Sequence, residues 1–210
     1  MKLVVLVEGE TEKGLKTLLL KRDLRRAGKK VGIEIKNLRG GPELISKLPY
    51  LVEEYRAEKN VLAVFALLDL QGLPIEFPKS CSGVKQKTAY ARKEILADVA
   101  TKHRAAVSIH FAVREIEAWI FADDEVLKNH IGKKAKAPGT EPEQINDTTK
   151  PSEHMRRLFK RHKGKQYIKV RDGVRMLGMV DPETVAAKCP HFKAMIKDMD
   201  ATCARAKNKI

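Results

Sequence analysis

Short apolar runs alternate with helical segments along the first half of the chain, and this alternation restricts the possible folds more than any other feature. Each run is built mainly from Val, Leu, Ile and Ala, as expected of strands buried on both faces of a sheet. The runs occupy residues 3–7, 31–35, 61–68 and 107–113. Successive strand–helix units favour a parallel sheet flanked by helices. The chain is therefore predicted to be an α/β protein.

The helical segments differ between the two halves of the chain. In the first half, apolar spacing predicts helices over residues 11–26, 88–103 and 115–127 and a further helix after Pro42. Thr11 is the expected N-cap of the first of these helices. Residues 132–151 lack a sustained period and predict a loop or flap, and helices follow over residues 152–162, 181–187 and 190–204. We therefore expect an α/β core over residues 1–130 and a loop and C-terminal helical subdomain over residues 131–210, packed on the core.

Composition excludes several classes of function. No apolar run approaches the length of about 20 residues that a membrane span needs, and acidic residues directly follow the short N-terminal run, so we expect a cytoplasmic protein. The cysteines Cys81, Cys189 and Cys203 lack zinc-ligand spacing, and no phosphate-binding or dinucleotide-binding glycine motif occurs. The net charge of +15 favours a polyanionic partner such as nucleic acid, with simple solubility as the alternative.

Carboxylates follow three of the predicted strands, where ligands of parallel sheets bind. Glu8, Glu10 and Glu12 follow the first run and Asp69 ends the third, whereas Glu115, Glu117 and Asp123 follow the fourth. Clustered carboxylates require a cation, and oxygen ligands favour Mg²⁺ or Mn²⁺. The alternatives are a solvated turn for Glu10 and favourable acidic residues near a helix N-terminus for Glu12, Glu115 and Glu117.

Three further features have structural interpretations. Cys189, which precedes Pro190 and His191, is interpreted as structural rather than as a nucleophile, and Trp119 is expected in the core. Asn146, Asp147 and Ser152 bracket the predicted loop, which could enter the site as a flap, with a turn or cap as the alternative role of Asp147.

A set of short motifs resembles a known family. The segment from Glu8 to Glu12 resembles the EGxxE signature of Toprim domains, which are metal-dependent catalytic domains of primases, topoisomerases and overcoming-lysogenization-defect-type nucleases. A bacterial Toprim-like family classed as a domain of unknown function is more similar still. The segments that carry this resemblance are DLQGLP from Asp69, REIEAW from Arg114, IND from Ile145, PS from Pro151 and AKCPHF from Ala187.

The resemblance implies roles for individual residues. Glu8 corresponds to the Toprim glutamate implicated in acid/base work, and Asp69 to the first aspartate of the metal-binding DxD motif. Gln71 stands where many Toprim proteins have the second aspartate. This departure weakens the metal site or transfers its remaining ligands to other carboxylates. The expected catalytic residues are Glu8 and Asp69, and the expected ligands of Mg²⁺ or Mn²⁺ are Glu8, Glu12, Asp69, Glu115, Glu117 and Asp123.

The leading hypothesis is a metal-dependent, nuclease-like enzyme that hydrolyses phosphodiester bonds in nucleic acid. The resemblance also implies that the protein acts in a bacterial defence system together with an ATPase partner protein. A non-catalytic module that binds nucleic acid or a partner is the alternative, and the substitution at Gln71 fits it. A third hypothesis is nucleotidyl or phosphoryl transfer to a small molecule.

Overall fold

The computed structural model describes residues 1–144 and 149–205. Asn146 and Asp147, expected in the flap, lie outside the described residues. The strands are β1 (Lys2–Val7), β2 (Arg25–Arg26), β3 (Lys29–Lys30), β4 (Gly32–Asn37), β5 (Val61–Asp69) and β6 (Val107–Ala112). The helices are α1 (Leu15–Leu20), α2 (Gly41–Ala57), α3 (Val84–Ala97), α4 (Thr101–Arg104), α5 (Glu117–Ile120), α6 (Asp124–His130), α7 (Pro151–Lys163), α8 (Val174–Met179), α9 (Pro182–Lys188) and α10 (Pro190–Arg205).

The chain divides into two compact units. The first unit comprises Met1–Gly9, Asp23–Phe111 and the segment from Lys197 onward, and the second comprises Glu10–Arg22 and Ala112–Ile196. Each unit is therefore built from segments that are distant in sequence. The division predicted at residue 130 from sequence character stays a prediction.

A four-stranded parallel sheet forms the centre of the first unit, in the order β4–β1–β5–β6. β1 pairs in parallel with β4 on one side and with β5 on the other, and every residue from Leu3 to Val7 is inaccessible to solvent. Burial of this kind explains why β1 reads as a continuous apolar run rather than an alternating one. The predicted α/β class, a parallel sheet flanked by helices, is confirmed.

The core of the first unit joins the sheet to α2 and α3. Leu44, Leu48 and Ile95 from these helices pack in one cluster with Val64 and Phe111 from the sheet. Each helix contributes apolar residues three or four positions apart, the spacing that places side chains on one helical face. β2 and β3 form a separate antiparallel hairpin with exposed basic side chains.

Helices dominate the second unit, and two glycines bring a pair of them close together. A Cβ atom on Gly14, at the start of α1, would lie 2.4 Å from the carbonyl oxygen of Val174 and 3.0 Å from Cβ of Leu177. On the other side of the contact, a Cβ on Gly178 would lie 3.3 Å from Cβ of Thr17. The turn at Thr11–Gly14 and α1 therefore approach α8 at a distance that only glycine permits at position 14.

Three predicted helices are interrupted. The helix predicted over residues 11–26 is a 3-10 turn at Thr11–Gly14 followed by α1 and the hairpin, and Thr11 lies inside the turn rather than capping it. The segments 88–103 and 115–127 each form two helices, the second pair separated at Asp123. Asp123 stops one helix and caps the next because its side chain accepts hydrogen bonds from backbone N–H groups of α6.

Two structural features between α7 and α9, a π-helical turn and the helix α8, were not predicted from the sequence. Residues Lys169–Gly173 form a π-helical turn that leads directly into α8. Such turns are rare and occur often at functional sites. Among the described residues, no helix is both long enough and apolar enough to cross a membrane.

Candidate functional site

Glu8 follows β1 at the carboxyl edge of the sheet in the first unit. Its Oε1 atom accepts a hydrogen bond of 2.7 Å from the backbone N–H of Asp69, the last residue of β5. The backbone N–H of Gly41, at the start of α2, donates to the same carboxylate. Since β1 and β5 are paired neighbours, the expectation that Glu8 and Asp69 lie at one sheet edge is confirmed.

The turn between β4 and α2 is shaped around this carboxylate. Gly40 adopts φ = 141° and Arg39 adopts φ = 62°, so the chain reverses through conformations that most side chains disfavour. A Cβ atom on Gly41 would lie 3.0 Å from Oε2 and 3.1 Å from Cδ of Glu8. Gly40 and Gly41 therefore allow the backbone to approach Glu8 closely.

The environment of Glu8 suits proton transfer. Burial raises the pKa of the Glu8 carboxyl group, and the N–H groups of Asp69 and Gly41, which favour the charged form, oppose this shift only in part. The net pKa lies above the ordinary value for glutamate. A carboxyl group with this property can act as an acid or base closer to neutral pH.

We expect replacement of Gly41 by alanine to raise the Glu8 pKa further. The added Cβ would push the carboxylate away from the N–H of residue 41 and weaken a hydrogen bond that stabilises its charge. Carbon NMR of the side-chain carboxyl groups during a pH titration, in buffer with a chelator, would measure the shift. Gly83→Ala is the control because Gly83 has open space around it. An unchanged Glu8 pKa in Gly41→Ala would contradict the proposed contact.

A second group of carboxylates lies in the second unit. Glu117, the first residue of α5, is completely buried, and Glu115 precedes it by two residues. The Nζ atom of Lys169, on the π-helical turn, lies 3.0 Å from Oε1 of Glu117 and 3.2 Å from Oε1 of Glu115. One ammonium group therefore bridges the two carboxylates.

Further donors hold these carboxylates in place. The backbone N–H of Ser152 donates to Oε2 of Glu115 at 2.8 Å, and the Ser152 hydroxyl contacts the same group. The hydroxyl of Tyr167 donates to Oε1 of Glu117 at 3.3 Å. Ser152 and Tyr167 are themselves buried, so the residues that donate to the two carboxylates are held by packing. Ser152 lies at the second position of α7, and whether the loop before it enters a site as a flap stays a prediction.

The two carboxyl groups have opposite pKa shifts. Burial raises the pKa of Glu117, and Lys169 offsets this only partly. Burial also raises the pKa of Glu115, but the donors from Ser152 and the charge of Lys169 outweigh it and the net pKa is lowered. Burial lowers the pKa of Lys169, while both carboxylates raise it and prevail. The cluster therefore pairs one carboxyl group that readily ionises with one that resists ionisation, as is common at functional sites.

Glu115 and Glu117 can be compared with what a divalent cation requires of its protein ligands, although the Nζ atom of Lys169 already lies between them. The Oε2 atom of Glu117 is buried without a hydrogen-bond partner in the described structure, which is costly unless another ligand compensates it. Within residues 1–144 and 149–205, no group of three or more His, Cys, Asp or Glu residues could hold a metal ion. Mg²⁺ is often held by only one or two carboxylates, together with water and substrate phosphate. Glu115 and Glu117 meet that requirement.

The remaining candidate ligands have other environments. Glu12 is buried in the 3-10 turn at Thr11–Gly14 in the second unit, whereas Glu10 is exposed and pairs with Lys13. The Asp123 carboxylate accepts hydrogen bonds from the backbone N–H groups of Glu125, Val126 and Asp181, which give it a structural role. The structure thus brings Glu8 to the backbone of Asp69 in one unit and Glu115 to Glu117 in the other.

Two contributors to this cluster were missed in the sequence. Lys169 lies 54 positions after Glu115, and Tyr167 lies two positions before Lys169. No local sequence spacing therefore connects either residue with Glu115. The sequence signal that could have indicated Lys169 is its position in the mainly apolar segment YIKV, residues 167–170, because such neighbours are unusual for an exposed lysine.

The segment around Cys189 is stabilised by Glu143. The Glu143 carboxylate accepts hydrogen bonds from the indole N–H of Trp119 at 2.9 Å and from the backbone N–H of His191 at 3.0 Å, at the start of α10. Burial raises the pKa of the Cys189 thiol, with the Glu143 charge as a further cause. A thiol in this environment is a poor nucleophile.

Comparisons with known proteins place the chain in a family. No curated protein matches the chain significantly. Among solved structures, the chain is similar to the C-terminal region of the Burkholderia pseudomallei OLD protein, with 13% identity, a TM-score of 0.49, and coverage of 96% of this chain and 98% of that chain. It is also similar to the C-terminal region of the Xanthomonas campestris pv. campestris OLD protein, with 15% identity, a TM-score of 0.45 and 98% coverage of both chains. Residues 7–200 match the model described as "Domain of unknown function (DUF4276)", and the chain belongs to this family.

Proposed function

We propose that the protein is a Mg²⁺- or Mn²⁺-dependent enzyme that hydrolyses phosphodiester bonds in nucleic acid. The observation that carries the proposal is the buried Glu117 carboxylate, which has one oxygen without a hydrogen-bond partner and Glu115 beside it. The Toprim-like motifs support the same class of chemistry. The net charge of +15 supports a polyanionic substrate.

Glu115 and Glu117 are the proposed metal ligands of the second unit. When bound, the cation would supply charge to polarise a phosphate oxygen and to activate water. Without a cation, the single positive charge of Lys169 offsets part of the negative charge of the two carboxylates and keeps them close together. The Ser152 and Tyr167 donors fix the orientation of the carboxylates, and catalytic ligands require such orientation. Glu12 and Asp123 remain candidates from the sequence, with Asp123 weakened by its hydrogen bonds to backbone.

Glu8 and Asp69 are the proposed catalytic residues of the first unit. The raised pKa of Glu8 suits a group that exchanges a proton with water or with a leaving oxygen. Gly41 and the backbone of Asp69 orient its carboxylate. Asp69 corresponds, by the resemblance, to the first aspartate of the DxD motif, and it is proposed to act beside Glu8 in the same unit.

A non-catalytic module that binds nucleic acid or a partner protein is the second candidate. The contacts of Lys169 with both Glu115 and Glu117 favour it, because an ammonium group already balances these carboxylates. Gln71 in place of an acidic residue points the same way. The resemblance to overcoming-lysogenization-defect-type nucleases implies an ATPase partner and a role in bacterial defence, and both are compatible with either candidate function.

Cleavage assays distinguish the two candidates. Supercoiled DNA, linear DNA and single-stranded RNA would be incubated with the protein and Mg²⁺, Mn²⁺ or a chelator. We expect metal-dependent cleavage by the wild type, and a loss of at least about a hundredfold in Glu117→Gln, Glu8→Gln and Asp69→Asn, because each removes an acidic group assigned to the reaction. Asp124→Asn is the matched control, since Asp124 is an exposed acidic residue near the same cluster in sequence.

The outcomes lead to different conclusions. Equal cleavage by wild type and all three variants would remove the proposed residues from the reaction. Binding of nucleic acid without turnover under any metal condition would favour the non-catalytic module. Circular dichroism spectra and thermal melting curves of each variant would show whether a loss of activity reflects a loss of folding.

A further inference from the structure

A basic pocket lies at the C-terminal end of α7 in the second unit, apart from the carboxylate groups already described. Its volume is about 310 Å³. Three basic side chains line it together with a glycine, a glutamine and a tyrosine: Arg156, Lys160, Lys165, Gly164, Gln166 and Tyr167. No acidic residue is among them, so the charged groups around the pocket are all positive, although most of its accessible lining is apolar.

Among residues 1–144 and 149–205, the basic side chains of this pocket have no partners of opposite charge. In the part of the chain that the structure describes, Arg156, Lys160 and Lys165 are exposed and form no ion pair. By contrast, the neighbouring Arg157 is paired with Glu153. Three unpaired cations around one pocket create a local positive potential that an anion would neutralise.

Stabilisation of the helix accounts for only part of this arrangement. Basic residues in the last turn of a helix interact favourably with its dipole, and Lys160 lies in that turn. Arg156, however, lies two turns before the end of α7 at Lys163, and Lys165 lies beyond it. The dipole effect is confined to the last turn, so it does not explain these two residues.

The geometry of the pocket fits an extended anion. Arg156 and Lys160 are four residues apart on α7, which places them on one face with Cβ atoms about 5–6 Å apart. Position 164 continues the same face, and Gly164 adopts φ = 62° with no atom within 4 Å of a Cβ placed there. Gly164 is the left-handed C-cap of α7, the position at which glycine commonly ends a helix, and it adds no side chain to the lining of the pocket.

Tyr167 connects the pocket to the carboxylate pair. Its side chain lines the pocket, and its hydroxyl donates to Glu117. The ring of Phe159 packs against Tyr167 at a centroid distance of 5.2 Å and fixes it from within the unit. An anion bound in the pocket therefore contacts the same residue that orients the proposed metal ligand.

We propose that this pocket binds the phosphodiester backbone of a nucleic acid through Arg156, Lys160 and Lys165. The proposal deepens the proposed function and rests on it for the identity of the polymer. Backbone recognition of this kind depends on charge rather than on base sequence. The pocket would hold phosphates beside the strand segment that the carboxylates act on, and it does not itself take part in bond cleavage.

Binding measurements in the absence of metal test the pocket separately from catalysis. Fluorescence anisotropy of labelled single-stranded and duplex oligonucleotides would be recorded with a chelator across a series of salt concentrations. The test variant is R156Q/K160Q/K165Q. The matched control is K59Q/K93Q/K193Q, which removes the same charge from exposed lysines elsewhere. Circular dichroism and thermal melting would establish that both triple variants are folded.

The expected result is a specific loss of phosphate contacts. For duplex DNA, each lost contact lowers the slope of log K against log salt concentration by about 0.9. We therefore expect the slope of the test variant to fall by about 2 to 3 and its affinity to fall at least about tenfold, with a loss below about threefold in the control. An equal loss in both variants, or an unchanged slope in the test variant, would overturn the proposal.

The same experiment separates this proposal from the proposed function. Cleavage by the wild type with unchanged binding by the test variant would reject the pocket and keep the nuclease. Salt-dependent binding through the pocket without cleavage under any metal would keep the pocket and reject the nuclease. Vesicles of phosphatidylglycerol and phosphatidylcholine provide a further probe. Pocket-dependent binding to these vesicles, without binding to oligonucleotides, would contradict the proposal.

Discussion

Replacing Gly14 with alanine is expected to lower the free energy of unfolding of the second unit by about 3 kcal/mol. The new Cβ would lie 2.4 Å from the carbonyl oxygen of Val174, a distance at which the backbone of α8 has to move. Alanine is intrinsically more favourable than glycine in a helix by about 1 kcal/mol, which opposes the loss. The steric effect prevails because the opposing atom belongs to backbone rather than to a flexible side chain.

Urea denaturation followed by tryptophan fluorescence would measure this change. The chain has a single tryptophan, Trp119, which is buried in the second unit and therefore reports on unfolding of that unit. Gly139→Ala is the matched control because no atom lies within 4 Å of a Cβ at that position. Gly178→Ala should cause a smaller loss of stability, because its new Cβ would lie 3.3 Å from Cβ of Thr17, a less severe contact than that of Gly14→Ala. Wild-type stability in Gly14→Ala would show that α1 and α8 are not packed this closely.

Replacing Lys169 with methionine is expected to destabilise the second unit by about 2 kcal/mol at neutral pH. Methionine preserves much of the side-chain volume but leaves the buried Glu117 and the half-buried Glu115 without their shared counter-ion. Removal of one partner of a buried ion pair costs about 3–5 kcal/mol, and the partial exposure of Lys169 reduces this. The double variant Lys169→Met/Glu117→Gln should recover much of the loss. Lys134→Met, at an exposed site, is the control.

The destabilisation by Lys169→Met should increase with pH. Burial and the nearby Glu115 raise the pKa of Glu117 in the folded state, and the variant lacks the ammonium group that opposes them. A carboxyl group whose folded pKa is raised contributes stability below its unfolded pKa and loses that contribution as pH rises through the folded pKa. The difference in stability from the wild type is therefore expected to be smaller at about pH 5 than at about pH 8. A constant difference across this range would show that Glu117 does not ionise beside Lys169.

Added metal provides a second measurement on the same variant. A ligand that binds only the folded state raises the melting temperature, and at a given concentration it does so more when it binds more tightly. Without the competing ammonium group, the Glu115 and Glu117 pair should bind Mg²⁺ or Mn²⁺ more tightly, so these ions should stabilise Lys169→Met more than the wild type. Melting curves unaffected by either ion, in the variant and in the wild type, would argue against a metal site at these carboxylates.

The parallel sheet and the position of Glu8 beside β5 could be predicted from the sequence because both depend on local patterns. A strand buried on both faces must be apolar throughout, as Leu3–Val7 is, and such a run is visible without its neighbours. Parallel strands place their carboxyl ends at one edge, so Glu8 and Asp69 were expected close together on the condition that their strands are neighbours, and the pairing of β1 with β5 meets that condition. The helix boundaries were less accurate at Thr11 and Asp123, where turn and capping geometry prevailed over apolar spacing.

The sequence alone determined the class of fold and the identity of the carboxylates that follow its strands. Only the tertiary structure decided that Lys169 and Tyr167 contact Glu117, that Gly41 makes room for Glu8, and that Glu8 and Glu12 of one short motif belong to different compact units. The physical reason is the range of each interaction. Periodicity reflects burial of neighbouring residues, whereas the partner of a buried charge is chosen by packing between segments that are far apart in the chain.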